Sequence, residues 1–468
     1  MNDLDMTIDG KAVAARDRFD VINPATGKSF ATAPECTRQQ LDQAMQSAAA
    51  AYVPWRRDES VRRQVLRDCA VALRDRATEL GRILTLEQGK PLEKGIGEFF
   101  GAGAWFDYTA TLELPVEVVQ DDDDARVEVH RRPLGVVGAI TPWNFPIILA
   151  VWKIAPALLA GNTVVIKPSP FTPLATLALG ETLRDVLPPG VLNVVSGGDG
   201  LGAWISQHPT VRKISFTGSI ATGKLVAAAA APDLKRLTLE LGGNDAAILL
   251  PDLDPAQVAD QLFWGAFENT GQVCSAIKRV FVHEDRYEAT LAELGRRARE
   301  VVMGDGLVAG TQLGPLNNAP QFERVNELVS QAISGGARVV AGGAPREGDG
   351  YFFEPTILGD VAEGVRIVDE EQFGPALPVL SYRDVDEAVE RANATMFGLS
   401  GSVWSGDARR AAEVASQLEC GTAWVNQHLN IVPHAPFGGA KWSGIGVENG
   451  HWGLYGFTET QTVNISKK

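Results

Sequence analysis

Val136-Val137-Gly138-Ala139-Ile140, an apolar helical stretch, and then Thr163-Val164-Val165-Ile166 set the rhythm that decides the fold. Both strands are short and apolar throughout, without polar alternation, so each needs cover on both faces. The rhythm continues with a helix over 173–186, the strand Leu192-Asn193-Val194-Val195, a short helix, and the strand Lys213-Ile214-Ser215-Phe216. Short apolar strands alternating with helices predict a parallel sheet flanked by helices, an α/β architecture. Toward the C-terminus the style repeats. Strands near 245–250, 279–283, 337–341, 377–382, 401–404 and 422–425 alternate with helices near 255–268, 285–300, 320–334, 384–393 and 407–418, which predicts a second α/β domain. Toward the N-terminus, 38–53 and 56–88 read as helices with Ala- and Arg-rich faces. Two pieces stand outside this rhythm. Asp121 to Asp124, leading into Arg126-Val127-Glu128-Val129-His130-Arg131, reads as a polar hairpin tip feeding an alternating strand, a reading favoured over calcium chelation. Thr458 to Ile465 alternates in the same way, and the two arms together invite a role in oligomerisation.

A chain of 468 residues has room for two or three domains, and 45% hydrophobic with 22% charged residues is ordinary for a soluble protein. A net charge of −15 argues against nucleic acid and anionic membrane as partners. Cys36, Cys69, Cys274 and Cys420 lie far apart without C-x-x-C spacing, which disfavours a metal site or disulfide framework and suits a reducing cytoplasm. The acidic start Met1-Asn2-Asp3-Leu4-Asp5 lacks an apolar signal core. The run Ile147 to Ala160 is interrupted by Lys153 and Pro156, and a buried helix rather than a membrane span is expected.

Cys274 sits in Glu268-Asn269-Thr270-Gly271-Gln272-Val273-Cys274-Ser275, and a carboxylate stands on a separate glycine-rich turn, Leu239-Glu240-Leu241-Gly242-Gly243-Asn244. A thiol among small and polar neighbours can attack an electrophilic carbon, and a carboxylate can then activate water against the thioester. A lone cysteine is more often a small buried apolar residue, so this reading needs the other motifs. In Thr141-Pro142-Trp143-Asn144-Phe145-Pro146 a rigid, semi-apolar setting suits the Asn144 amide to donation toward a developing oxyanion. Gly198-Asp199-Gly200-Leu201-Gly202-Ala203 follows a strand and opens a helix, and so matches the relaxed dinucleotide fingerprint. The acidic residue expected about 20 positions on is missing, so a tight turn is the expected structure. Phe216-Thr217-Gly218-Ser219 is the better phosphate site, ending a strand and opening a helix; an N-cap serine would have the same geometry. Lys167 in Ile166-Lys167-Pro168-Ser169 lies past a strand end, where a cation suits ribose hydroxyls or phosphate. Glu371 in Glu371-Gln372-Phe373-Gly374-Pro375 suits two hydroxyls of one ribose.

Together with Pro436-Phe437-Gly438-Gly439, these motifs resemble the aldehyde dehydrogenase superfamily, of the hydrolytic, non-acylating type, in order and spacing from about residue 20 to the end. The resemblance implies a Rossmann-type cofactor domain (1–114 and 134–243), an α/β catalytic domain (244–442), and a small β oligomerisation arm with the C-terminal segment (115–133 and 443–468). It implies NAD(P)-dependent oxidation of an aldehyde to a carboxylic acid by a homodimer or homotetramer. Cys274 would be the nucleophile, Asn144 and the Cys274 N–H the oxyanion donors, Glu240 the general base, and Glu448 a second carboxylate relaying protons. Lys167 and Glu371 would hold the riboses, Ser219 and Trp143 the pyrophosphate, and Gln321 and Arg324 the nicotinamide side. Thr141, Pro142, Ser169, Gly218, Leu241 and Phe373 complete the expected cofactor site, with Glu240 beside it. Phe145, Leu149, Trp152, Val273, Ile431 and Phe437 would line the substrate tunnel and favour a hydrophobic or aromatic aldehyde. His434 is expected near its mouth.

Two positions depart from the family pattern. Pro170 stands where many NAD-selective members carry Glu, so NAD is expected with NADP as the alternative. Glu268, six residues before Cys274, replaces an apolar or aromatic pocket residue and suits a polar or cationic substrate, or simply faces solvent. Among rival activities, transfer of the thioester to coenzyme A is disfavoured by Glu240, and a semialdehyde substrate by the lack of a pocket arginine. A non-catalytic binding role is disfavoured by Cys274, Glu240 and Asn144 together. A cysteine hydrolase would need a paired histidine, and neither the Cys274 nor the Glu240 motif has one.

Overall fold

The computed structural model describes residues 4–468. The opening strands Val136–Ile140 and Thr163–Lys167 pair in parallel at the centre of an eight-stranded sheet. Every residue of both is buried, which is why they carry no polar alternation. Five parallel strands run in the order Arg236–Glu240, Val211–Thr217, Val136–Ile140, Thr163–Lys167, Leu192–Val194. Antiparallel edges are added by Gly444–Ile445 on one side and by Met6–Ile8 and Lys11–Val13 on the other. From Val136–Ile140 the chain winds outward in one direction, then returns to place Val211–Thr217 on the opposite flank. Ligands bind beyond the carboxyl ends of strands at such a reversal.

The second sheet has seven strands, Arg338–Ala341, Thr356–Gly359, Ala376–Tyr382, Ile277–His283, Asp245–Leu249, Ser400–Trp404 and Thr422–Val425, all parallel except the first pair. Glu240 closes the first sheet and Asp245 opens the second, so only four residues separate them. The carboxyl ends of the first sheet therefore face the amino ends of the second. A third sheet joins Glu117–Asp121, Ala125–Pro133 and Thr458–Ser466. Its tip carries the aspartates: Asp122 Oδ1 accepts the Asp124 and Ala125 N–H groups, and Lys467 and Lys468 pair with Asp121 and Asp124.

Three features depart from the sequence reading. The single helix expected over 56–88 is two, Glu59–Asp75 and Ala77–Gln88, broken at Arg76, whose guanidinium ties to Glu79, Glu181 and Thr182. No Gly or Pro marks that break; a tertiary contact makes it. A further helix, Leu92–Thr109, was hidden by four glycines, each of which weakens helix propensity. Packing explains one of them. A Cβ on Gly95 would stand 2.7 Å from the Gly81 carbonyl, and one on Gly81 would stand 2.6 Å from the Ile96 nitrogen. The glycines permit a close helix crossing that larger side chains would hold apart. Finally, Arg18–Asn23 and Lys28–Pro34 form a separate hairpin unmarked in the sequence rhythm. The expected buried helix is present as Pro146–Ala160, with Lys153 at 0% exposure. No described helix is long and apolar enough to cross a membrane.

Candidate active site

Cys274 stands on the loop just before Ile277–His283, at the amino edge of the second sheet. The chain reaches it through a left-handed run, Asn269, Thr270 and Gly271 at φ 51°, 60° and 74°. This strained backbone is over-determined by hydrogen bonds. Asn269 Nδ2 donates to the Asn144 carbonyl at 3.1 Å and Thr270 Oγ1 to the Gly314 carbonyl at 3.0 Å, while Gln272 is bonded to Asn269, Pro315 and Asn317. Buried Lys278 donates to the Val273 and Cys274 carbonyls at 2.9 and 2.6 Å. A Cβ on Gly243 would stand 2.8 Å from the Cys274 carbonyl, so glycine is needed where the two turns meet.

Cys274, Glu240 and Asn144 line one cavity of about 260 Å³. Its other walls are mainly apolar: Trp105, Phe145, Ile148, Leu149, Trp152, Val273, Leu429, Ile431 and Phe437. Trp105 stacks on Trp152 at 5.8 Å, and Phe437 meets Trp152 edge-on at 5.7 Å. Both carboxylate oxygens of Glu240 are buried without a hydrogen-bond partner among the described residues. Burial pushes its pKa well above the carboxylate range, reinforced by nearby Glu448 and opposed by Lys153. Burial likewise pushes the Cys274 thiol up to about 12; Lys278 opposes this, and Glu240, Glu371 and Asp245 add to it. Asn144 Nδ2 donates to the Gln272 carbonyl at 3.0 Å, which fixes the amide and leaves its second N–H for the cavity.

Behind Glu240, Glu448 pairs with Lys153 at 2.6 Å, both fully buried. Lys153 also donates to Thr217 Oγ1 at 2.8 Å, and Ser215 Oγ to Glu448 at 3.3 Å. A buried pair costs several kcal/mol of desolvation per ion unless further hydrogen bonds compensate; here those to Glu448 all reach Oε1, and Oε2 has no partner among the described residues.

A second cleft, about 530 Å³, opens where the first sheet reverses and meets the cavity at Cys274, Asn144 and Thr217. Pro142, Trp143, Gly218, Ser219, Leu241, Gln321, Arg324, Glu371 and Phe373 line it. Ser219 caps the helix Ile220–Ala230, its Oγ accepting the Thr222 N–H at 3.2 Å. A Cβ on Gly218 would stand 2.5 Å from the Phe216 ring. Gln321 donates to the Gln372 and Phe373 carbonyls, and Arg324 to the Glu371 carbonyl and Glu370 carboxylate. Glu371 accepts the Gly243 N–H at 3.2 Å and lies 3.4 Å from Lys278.

Several candidates lie elsewhere. Thr141, Lys167 and Ser169 are buried beside the cleft, off its wall; the Thr141 N–H donates to the Lys167 carbonyl at 3.0 Å, and Thr141 Oγ1 has no partner among the described residues. Glu268 reaches the cavity wall, where Lys94 pairs with it at 2.9 Å. His434 does not line the cavity: it is exposed and edge-on to Tyr108 at 6.4 Å, because the chain returns to the wall only at Phe437. Gly198-Asp199-Gly200 opens the helix Asp199–Gln207, as its place after a strand suggested. Sequence reasoning missed Trp105 and Lys278, and quoted Thr217 only as part of the phosphate motif. A lysine entering an apolar strand was the available signal for Lys278; Trp105 had none, since its helix was itself unexpected.

A cysteine and an unpartnered buried carboxylate thus share one apolar cavity, joined to a cleft at the reversal of an α/β sheet. The chain belongs to the aldehyde dehydrogenase family, whose sequence profile matches residues 12–463. It is an oxidoreductase acting on aldehydes. It is 40% identical to retinaldehyde dehydrogenase 3 of Rattus norvegicus over 464 residues, covering 96% of this chain and 90% of that one. Identity to phenylacetaldehyde dehydrogenase of Pseudomonas fluorescens is 38% over 480 residues, covering 98% and 95%. The solved NAD+ complex of aldehyde dehydrogenase from Bacillus cereus superposes with a TM-score of 0.97 at 35% identity, covering 100% of this chain and 97% of that one.

Proposed function

We propose that the protein oxidises a hydrophobic or aromatic aldehyde to its carboxylic acid through a thiohemiacetal and a thioester on Cys274, with NAD as acceptor. The observation that carries this reading is Cys274 at the junction of two spaces, an apolar cavity holding Glu240 and a cleft of dinucleotide size. The cleft fits such a cofactor. The helix-capping turn at Ser219 offers N–H groups to a pyrophosphate, and the unpartnered Thr141 hydroxyl with the buried Lys167 ammonium suits a ribose. Lys167, Ser169, Trp143 and Ser219 would hold the adenosine and phosphate portion, and Gln321, Arg324, Glu371 and Phe373 the nicotinamide portion. When bound, the cofactor supplies the hydride acceptor.

The protein's own groups carry the rest. The Cys274 sulfur attacks the aldehyde carbon as its thiol proton passes to Glu240, and the carbonyl electrons move to an oxygen held by the Asn144 amide and the Cys274 N–H. Loss of hydride from that carbon restores the carbonyl as a thioester. Glu240 then removes a proton from water, water adds to the thioester carbon, and the carbon–sulfur bond breaks to release the acid and the thiol. The excess proton on Glu240 passes to the Glu448 carboxylate, which Lys153 and Ser215 hold in place. Trp105, Trp152, Phe145 and Phe437 select an apolar substrate body. The relatives named for retinaldehyde and phenylacetaldehyde support that class. Dispersed free thiols favour a reducing cytoplasm. The three-stranded arm, whose edge strand Glu117–Asp121 is exposed along its length, is assigned to pairing between copies of the chain.

The test is an aldehyde panel followed by reduced-cofactor absorbance, with NAD and NADP in parallel and with or without coenzyme A. Turnover of aromatic and medium-chain aldehydes without coenzyme A is expected. Strict dependence on coenzyme A would overturn the hydrolytic step.

A further inference from the structure

Lys167 ends its strand with the ammonium buried at 3% exposure and the Pro168 carbonyl, 3.1 Å away, as its acceptor. Burial lowers its pKa to about 8, and the groups opposing that fall are the carboxylates of Asp199 and then Glu35. Glu35 follows the strand Lys28–Pro34, and its Oε1 accepts the Gly198 N–H at 3.1 Å. A Cβ on Gly197 would stand 2.9 Å from that same oxygen, so the loop passes close against the carboxylate. Asp199 is exposed and begins the helix Asp199–Gln207, whose Gly202 lies 3.9 Å, at its Cβ position, from Lys167 Cδ. One buried cation and two carboxylates, from three segments far apart in sequence, thus converge past the carboxyl ends of neighbouring strands Thr163–Lys167 and Leu192–Val194. Pro170 brings no charge to this group.

We propose that Asp199 and Glu35 make the protein selective for NAD over NADP: their carboxylates accept from the adenosine 2′-hydroxyl and repel a 2′-phosphate. The inference rests on the proposed placement of the adenosine ribose at Lys167. A hydroxyl brings a proton to donate, whereas a phosphate brings only acceptors and negative charge. The local balance of one ammonium against two carboxylates favours the former. An acidic side chain on the ribose hydroxyl is the general solution for NAD, and an arginine the one for the 2′-phosphate. In this chain the acidic residue stands inside the glycine motif Gly198-Asp199-Gly200 itself, not about 20 residues beyond it. Asp199 is the stronger of the two carboxylates on Lys167, and Glu35 the more rigidly held.

Calorimetric titration of the full chain with NAD and with NADP tests this, on the parent protein, Asp199→Asn, Glu35→Gln, the double variant and Lys167→Met, at low and high salt. The parent is expected to bind NADP at least about tenfold more weakly than NAD, and each neutralisation to narrow that ratio about three- to tenfold. Added salt should narrow the ratio in the parent by screening, and much less in the double variant. Lys167→Met should weaken both cofactors. An unchanged ratio in Asp199→Asn and in the double variant, with both cofactors weakened by Lys167→Met, overturns the selectivity assignment and leaves the ribose site standing. Unchanged affinities in Lys167→Met overturn the ribose site, and the selectivity assignment with it. Asp199 is exposed, so its variant reads the effect even where Glu35→Gln disturbs the hairpin.

Discussion

At the scale of single residues, the proposed chemistry depends on two groups whose surroundings disfavour the ionised form. Cys274 is pushed up to about 12 and Glu240 well above its ordinary range, chiefly by burial, and each must lose a proton to act. The sign follows directly: kcat/KM should climb as pH rises from neutral into the alkaline range, and a rate falling over that range would contradict the assignment. Cys274→Ala should remove turnover by a factor on the order of 10⁴ or more. Glu240→Gln should slow kcat by about 10²- to 10⁴-fold and leave a thioester on Cys274, visible as an added acyl mass on the intact protein. Full activity with no adduct would remove Glu240 from the mechanism. Asn144→Ala, which deletes an oxyanion donor, should lower kcat by about 10²- to 10³-fold with little change in KM. These three residues were legible because each stands in a local motif whose residue types already suggest its chemistry. Trp105 was not, because its helix was itself unexpected; Lys278 was passed over although the carbonyls it holds lie only four and five residues away.

At the scale of elements, the strands were easier to read than the helices between them. A strand buried on both faces announces itself by unbroken Val, Ile and Ala, and Val136–Ile140 and Thr163–Lys167 are of that kind. The helix Leu92–Thr109 has Gly95 where the helix Ala77–Gln88 crosses, so at that position the residue that argues against a helix locally is what the packing requires. Helix junctions are likewise tertiary. The Glu87 carboxylate at the end of Ala77–Gln88 accepts the Leu174 and Ala175 N–H groups, at 2.7 and 2.8 Å, and so caps a helix 87 positions later. Glu87→Ala would bury two unpaired N–H groups and should cost about 2 kcal/mol or more, read as a lower thermal midpoint. Burial raises the Glu87 pKa from 4.5 to about 8. Its contribution to stability is therefore fully present below about 4.5 and is lost as pH rises through about 8. Glu87→Gln should flatten the fall in thermal midpoint across that window; an unchanged slope would show that Glu87 is not its source.

At the scale of the whole molecule, the candidate active site exists because two sheets meet end to edge. The first sheet presents Asn144, Thr217 and Glu240 from its carboxyl ends, and the second presents Cys274 and Glu371 from its amino ends. The C-terminal segment then locks the hinge: Ser443 Oγ donates to the Gly242 carbonyl, and the Ser443 carbonyl accepts the Leu241 N–H. Beyond that segment, Thr458–Ser466 pairs along the full length of Ala125–Pro133. Ending the chain at residue 457 should unpair this arm and reduce the particle to a monomer by light scattering; a full-length protein that is already monomeric would withdraw the oligomer assignment. By itself, the sequence determined the α/β rhythm and singled out Cys274, Glu240 and Asn144 as candidates, since these depend on local periodicity and residue chemistry. Only the tertiary structure decided the joining of cavity and cleft at Cys274, the exclusion of His434, the Lys153–Glu448 pair, and the convergence of Glu35 and Asp199 on Lys167. Those are contacts between segments tens to hundreds of residues apart, and burial and charge pairing at that range are created by packing rather than by local sequence.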